Sequence, residues 1–154
     1  MSYSVIAVAN AFIELARREN KQLTNMKLQK LVYIAQGFSL AMLEKPLFQN
    51  SVHAFQWGPV IPNLYEAVKH YGSEPITDII PTNDPRIDID DPNCVEAAII
   101  KGVWERYGTL TAAQLSAITH KEGTPWNKVW TKSNYAEIPR GLIKNHYLEL
   151  LAHV

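Results

Sequence analysis

The sequence is poor in cysteine and carries no excess of either charge. Cys94 is the single cysteine among 154 residues. No intramolecular disulfide can therefore form, which favours a reducing compartment. Fifteen Lys and Arg side chains match fifteen Asp and Glu side chains, and the formal net charge is +0. This balance argues against strong non-specific binding to nucleic acid, which depends on an excess of cations, and leaves only a local basic patch open.

Long apolar runs are also missing from the sequence. No window has the unbroken apolar length of a membrane span. The first residues, Ser2–Ser4, carry no positive charge, and Asn10 and Glu14 soon break the apolar stretch that follows, which is unlike a signal peptide. We therefore expect a cytoplasmic protein without a membrane partner.

The composition that remains is typical of a globular protein. Apolar residues make up 47% of the chain and charged residues 19%, a mixture that differs from that of disordered chains. A chain of this length can bury one sizeable core and is short for two. We expect one domain over residues 1–154.

Apolar residues recur at helical spacing through most of the chain. The pattern predicts a mainly α protein, a compact bundle of about six or seven helices with a small β-hairpin. Residues 51–57 are mixed in character and are expected to be extended, as one strand of the hairpin, with a turn at Gly58–Pro59. The predicted helices are at 4–20, from Thr24 to Lys45–Pro46, at 60–71, from Asp91–Pro92 to Gly108, from Thr111 to His120, from Thr124–Pro125 to about 130, and from Pro139 onward.

Polar residues mark two of these helix starts. Thr24 can cap the second helix, because its hydroxyl can accept a hydrogen bond from a free backbone N–H of the first turn. Thr111 and Gln114 have the spacing of a capping box, in which each side chain bonds the backbone of the other residue. Residues 74–90, by contrast, contain three prolines and keep no helical period, which predicts an irregular segment or a short edge strand.

The second predicted helix carries a row of polar side chains that could bind a partner. Gln29, Tyr33 and Gln36 lie at positions i, i+4 and i+7 and share one face, with Lys27 and Lys30 beside it. Amide, phenol and ammonium groups can form hydrogen bonds with the backbone and carboxylates of a partner protein. Tyrosine is also enriched at protein interfaces. The alternative is a solvated polar face on which Tyr33 packs against a neighbouring helix.

Direct DNA binding by this helix is not expected. Gln29 and Lys30 are residue types that read base edges, but no helix-turn-helix pair frames them and the chain is neutral overall. A phage accessory protein that regulates by binding DNA is kept as an alternative.

Trp57, immediately before Gly58–Pro59, is a second candidate for partner binding. A tryptophan presented on a turn is the kind of residue that dominates binding energy at protein interfaces. The alternative is a core residue whose indole N–H donates to a carbonyl group.

The segment 119–122 comes closest to a catalytic pattern. His120 and Glu122 could act as an acid–base pair, or His120 could simply end a helix, where the dipole favours its charged form. Zinc deaminases share the His-x-Glu spacing but also need a Cys-x-x-Cys pair, and Cys94 is alone. No phosphate loop or nucleophile elbow is present. We predict no catalytic residue, metal or cofactor, with an enzyme that uses His120 and Glu122 as an alternative.

Three signatures follow one another along the chain. They are Met-Lys-Leu-Gln-Lys-Leu-Val-Tyr-Ile-Ala-Gln-Gly at 26–37, Trp-Gly-Pro-Val-Ile-Pro-Asn-Leu-Tyr at 57–65, and Leu-Ser-Ala-Ile-Thr-His-Lys-Glu-Gly-Thr-Pro-Trp at 115–126. In this order and spacing they resemble the Panacea domain, a family that includes the phage-associated GepA-like proteins and SocA-like antitoxins. The resemblance covers most of the chain, from the first helix to the helix that follows Pro139.

The resemblance implies an antitoxin, a function that the residues alone do not indicate. Panacea proteins are understood to neutralise a cognate protein toxin by binding it, and some deliver the toxin to a cellular protease. A folded binding surface is enough for this role, and no catalysis is required. The signature residues are then the expected partner-binding residues: Lys27, Gln29, Lys30, Tyr33, Gln36, Trp57, His120 and Trp126.

Overall fold

The protein is mainly α-helical. A computed structural model describes residues 2–153, and over this range the predicted class, a mainly α bundle with a small β-hairpin, is confirmed. The elements are α1 (Val5–Arg18), α2 (Asn25–Met42), β1 (His53–Phe55), β2 (Gly58–Val60), α3 (Pro62–Val68), a 3-10 helix (Lys69–Tyr71), α4 (Val95–Tyr107), α5 (Ala112–His120), α6 (Pro125–Trp130) and α7 (Arg140–Ala152).

Helix α2 is the centre of the bundle. It packs against α1, α3, α4, α5, α7 and β2, with α7 as its most extensive neighbour. Its apolar residues Leu28, Leu31 and Val32 are fully buried. Every residue of α2 from Leu28 to Ala41 is buried, so the polar residues in this stretch are buried as well. The Thr24 cap is confirmed, since its hydroxyl accepts from the Lys27 N–H at 3.3 Å.

The β-hairpin turns two residues earlier than predicted. In the antiparallel register Phe55 lies opposite Gly58 and Ala54 lies opposite Pro59. The turn therefore consists of Gln56 and Trp57, and the predicted turn at Gly58–Pro59 is wrong because both residues belong to β2. The Gly-Pro pair is a turn signal, but here Gly58 lies within a strand. It has a φ of +119° and lies close to a buried side chain, which is described below.

The other edge of β1 is covered by the segment 135–138. Ala54 accepts from the Tyr135 N–H and donates to the Ala136 carbonyl, each at 2.9 Å, and the Ile138 N–H donates to Val52 at 2.7 Å. These bonds pair a short strand that would otherwise expose its backbone groups. They also bring Tyr135 beside the hairpin.

The irregular segment between the 3-10 helix and α4 is anchored on α1. Ile76, Ile80 and Ile87 are buried. The Asn10 side chain donates to the Ile80 carbonyl at 2.9 Å and accepts from its N–H at 2.8 Å. No strand forms in this segment within the part of the chain that the structure describes.

Helix α4 begins later than the predicted Asp91–Pro92. The Asp91 carboxylate accepts from the Asn93 N–H at 2.9 Å and closes a local turn, and the helix starts at Val95. A short polar side chain that bonds the backbone two residues on competes with helix initiation. No helix in the range 2–153 has both the length and the apolarity needed to cross a bilayer.

The capping box of α5 is confirmed, and it permits a stability prediction. The Gln114 N–H donates to the Thr111 hydroxyl at 3.1 Å, and the Thr111 N–H donates to Gln114 at 2.9 Å. We expect Thr111→Ala to lower the free energy of unfolding by about 1 kcal/mol, measured by urea titration. Thr109→Ala, a change at an exposed neighbour, is the control and should stay within about 0.5 kcal/mol. Equal losses in the two variants would contradict the role of the cap.

Candidate protein-binding site

The first two signatures meet where α2 passes beneath the hairpin. The Gln29 carbonyl oxygen accepts from the Ile61 N–H at 2.9 Å. The Lys30 ammonium donates to the Pro59 carbonyl at 3.0 Å. Both side chains are 1% exposed. Their hydrogen bonds therefore hold the second strand of the hairpin against α2.

The third signature also holds the hairpin through hydrogen bonds. The Ser116 hydroxyl, on α5, donates to the Trp57 carbonyl at 2.5 Å. The Trp126 indole N–H, on α6, donates to the Phe55 carbonyl at 2.6 Å. Trp126 is buried. The three signatures, far apart in sequence, thus converge on one turn and fix its backbone at several points.

Lys30 is a buried cation. Burial lowers the pKa of its ammonium group from 10.5 to about 7, because an apolar environment disfavours the charged form. Among the described residues no carboxylate forms an ion pair with it. Gly58 permits its approach to the strand, since a Cβ atom there would lie 2.9 Å from Lys30 Cε.

Gln36 and Tyr33, two residues of the predicted polar face, are buried in the protein interior. Gln36 is 1% exposed; its amide donates to the Phe48 carbonyl at 2.9 Å and accepts from the Leu47 N–H at 2.8 Å. The Tyr33 ring meets Tyr147 edge-on, with 6.1 Å between ring centroids. Burial raises the Tyr33 pKa. The solvated polar face that the helical spacing suggested is absent, because α2 has neighbours on every side.

Lys27 lies at a different place from the rest of the candidates. Its ammonium group donates to the Gly108 carbonyl at the end of α4, at 2.6 Å, and lies 5.8 Å from the centroid of the Trp104 ring. Partial burial lowers its pKa. The interaction satisfies a free carbonyl at a helix C-terminus, where a cation is favoured.

His120 is the last residue of α5, as predicted, and packs on the third signature. Its ring meets Trp126 edge-on at 5.2 Å, and its Nδ1 contacts the Ser116 carbonyl. Within residues 2–153 it makes no ion pair with Glu122 or any other carboxylate.

A groove of about 660 Å³ opens beside the turn, between the start of α2, the hairpin and α3. Ten large apolar side chains of the described residues are exposed, and four of them line this groove: Met26, Trp57, Tyr65 and Tyr135. Trp57 is 59% exposed, so the core role considered for it is wrong. We call Trp57, Tyr65 and Tyr135 the aromatic rim, and the Met26 thioether adds apolar surface beside it. Gln29 and Lys30 also line the groove, inside the rim.

Tyr135 is held in place at some backbone strain. Its φ is +66°, a conformation that is uncommon for a residue with a bulky side chain. The ring contacts Phe55 at 5.2 Å and Trp130 at 5.4 Å between centroids. The sequence did not point to this residue, since no local pattern connects it to the hairpin.

Comparison with known proteins identifies the class of this protein. The chain belongs to the Antitoxin SocA-like, Panacea domain family, whose model matches residues 28–127. That range contains the second and third signatures, the hairpin, and all of the first signature except Met26 and Lys27. The resemblance expected from the sequence is thereby confirmed.

One relative is a named antitoxin. The chain is 29% identical over 133 residues to Antitoxin SocA of Caulobacter vibrioides (strain NA1000 / CB15N), and the alignment covers 80% of this chain and 68% of that protein. No solved structure shows a significant match to the chain.

Proposed function

We propose that this protein is a cytoplasmic antitoxin that neutralises a cognate protein toxin by binding it directly. Membership of an antitoxin family supports the class of function. The observation that carries the mode of action is the aromatic rim around the groove. Clustered exposed aromatic side chains on a soluble surface are typical of binding sites. Neutralisation by binding needs such a surface and requires no catalytic group.

The groove is the proposed contact site because its walls are held rigid before any partner arrives. Ser116 and Trp126 fix the two backbone carbonyls on either side of the turn, and Lys30 fixes the strand that follows it. A surface that is already ordered loses less conformational entropy on binding. In this proposal Trp57 contacts the toxin, whereas Trp126 and His120 position the turn.

The proposal predicts that Trp57→Ala abolishes protection from the toxin. Truncation of a central aromatic residue at an interface typically costs about 2–4 kcal/mol, which is roughly a thirtyfold to thousandfold loss of affinity. The antitoxin itself should keep its stability within about 0.5 kcal/mol, since the side chain is largely exposed. The measurement is growth rescue and co-purification on co-expression with the protein encoded by the neighbouring reading frame.

Leu148→Ala is the matched control, because Leu148 is exposed but lies outside the groove. It should rescue growth and co-purify as the unchanged protein does. Full rescue by Trp57→Ala at normal expression would exclude the groove as the contact site. Rescue without co-purification, accompanied by a shorter toxin half-life, would instead favour delivery of the toxin to a cellular protease.

A further inference from the structure

The groove is lined by a buried lysine that has no anionic partner among the described residues. Lys30 is 1% exposed, and its hydrogen bond goes to the neutral carbonyl of Pro59. An ammonium group has three donors, and lysine is rarely buried unless it is paired with an anion. A carboxylate placed beside Lys30 would therefore stabilise the ammonium form, which burial alone disfavours.

The rest of the groove has the same sign of charge. Its lining includes Lys30 and Lys69 and contains no Asp or Glu, although the whole chain has equal numbers of the two charges. Lys69 is exposed and is paired with Glu66 at 2.6 Å, so Lys30 is the one of the two lysines that lacks an anionic partner. Because the surroundings of Lys30 are largely apolar, its attraction to an anion is stronger than it would be in water.

The rim adds a second requirement on the occupant. Trp57, Tyr65 and Tyr135 present aromatic surface next to the charge. Such surface favours an apolar side chain, because its burial removes both surfaces from water. An anion alone would leave the rim uncovered, and a basic segment would be repelled. The volume of about 660 Å³ is within the usual range of ligand clefts and accommodates a few residues of a chain.

We propose that the groove binds a segment of the toxin in which an aromatic or aliphatic side chain lies next to an Asp or Glu, with the apolar side chain on the aromatic rim and the carboxylate at Lys30. This inference rests on the proposed antitoxin function. It adds the chemistry of the partner: short acidic–apolar sequences at the surface of the toxin are the segments that this protein recognises.

The test uses two short peptides as probes, acetyl-Ala-Asp-Phe-Asp-Ala-amide and the same peptide with Asn in place of Asp. The indole N–H resonance of Trp57 in the full chain reports binding by NMR titration. We expect the Asp peptide to bind at least tenfold more tightly than the Asn peptide. Lys30→Met should reduce that preference to less than threefold. Lys144→Met, at an exposed lysine outside the groove, should leave it unchanged.

If the unmodified protein binds the two peptides equally, or binds neither, the inference is overturned without any variant. A full preference retained in Lys30→Met would also overturn it. If Trp57→Ala loses toxin rescue but the peptides bind equally, the antitoxin proposal stands and the acidic–apolar chemistry is wrong. If the Asp peptide is preferred but Trp57→Ala still rescues, the recognition chemistry stands and the toxin contact lies elsewhere.

Discussion

Addition of a single methyl group at Gly37 is expected to lower the free energy of unfolding by about 3 kcal/mol or more. A Cβ atom at this position would overlap the ring of Tyr147. That ring cannot move aside easily, because it is 3% exposed and packs against Phe38 at 4.8 Å. Gly37→Ala would therefore force α7 away from α2, the most extensive helix contact in the protein. Urea unfolding followed by circular dichroism measures the loss.

Gly102→Ala is the control for this prediction. Gly102 lies within α4, is exposed, and has nothing within 4 Å of the position of an added Cβ atom. There the substitution should raise stability by up to about 1 kcal/mol, because alanine is the better helix former. Opposite signs at the two glycines are the expected result. A stabilising effect of Gly37→Ala would show that α2 and α7 can separate without loss.

The second large effect is a dependence of stability on pH that comes from Lys30. The folded protein releases the Lys30 proton near pH 7, whereas the unfolded chain keeps it up to the ordinary pKa of 10.5. Between these values the unfolded state binds more protons, so the free energy of unfolding rises with pH. We expect a rise of about 3 kcal/mol from pH 7 to pH 10, at roughly 1.4 kcal/mol per pH unit once the folded protein has lost the proton. Urea titrations at each pH measure it.

Lys30→Met should remove most of this dependence. The substitution keeps the apolar stem and deletes the charge, and it leaves the Pro59 carbonyl without its donor. Because loss of that bond costs about 1–3 kcal/mol, we expect the variant to be more stable than the unmodified protein by about 1–3 kcal/mol at pH 7 and no more stable at pH 10. Lys144→Met, at an exposed site, should follow the unmodified protein at every pH.

The measurement should stop at pH 10. Burial raises the pKa of Tyr33 and of Tyr147 above the ordinary value of 10.0. Above that pH the folded state retains protons that the unfolded state loses, so these tyrosines lower stability as pH rises. If the free energy of unfolding of Lys30→Met rises between pH 7 and 10 as much as that of the unmodified protein, other groups cause the rise. That result would contradict the lowered pKa of Lys30.

The predictions for Gly37→Ala and for the pH dependence of stability both follow from the burial of α2. Helix α2 has Gly37 where it contacts the Tyr147 ring, and it has the buried Lys30 where it contacts the hairpin. A lysine that lowers stability at neutral pH is understandable if the charge serves binding, since functional residues are often unfavourable for folding. The peptide test and the pH test examine this residue by independent measurements.

Local features of the fold could be predicted because short-range interactions decide them. Thr24 and the pair Thr111–Gln114 cap the helices expected of them, since a capping bond joins residues only three apart. Thr124 likewise caps the short helix that begins at Pro125. The turn of the hairpin was misplaced, because Gly58 lies in a strand, where its positive φ accompanies the close approach of a side chain from a distant helix.

The sequence by itself determined the helices, their caps, the neutral charge and the family, because these depend on periodicity, on neighbouring residues and on motifs in a fixed order. Only the tertiary structure decided which polar residues are buried. Gln29 and Gln36 share the helical spacing of a surface face and Lys30 lies beside it, yet α2 is enclosed by its neighbours and these side chains bond the backbone of other segments. The groove was likewise invisible in the sequence, since Met26, Trp57, Tyr65 and Tyr135 come together only through packing between distant parts of the chain.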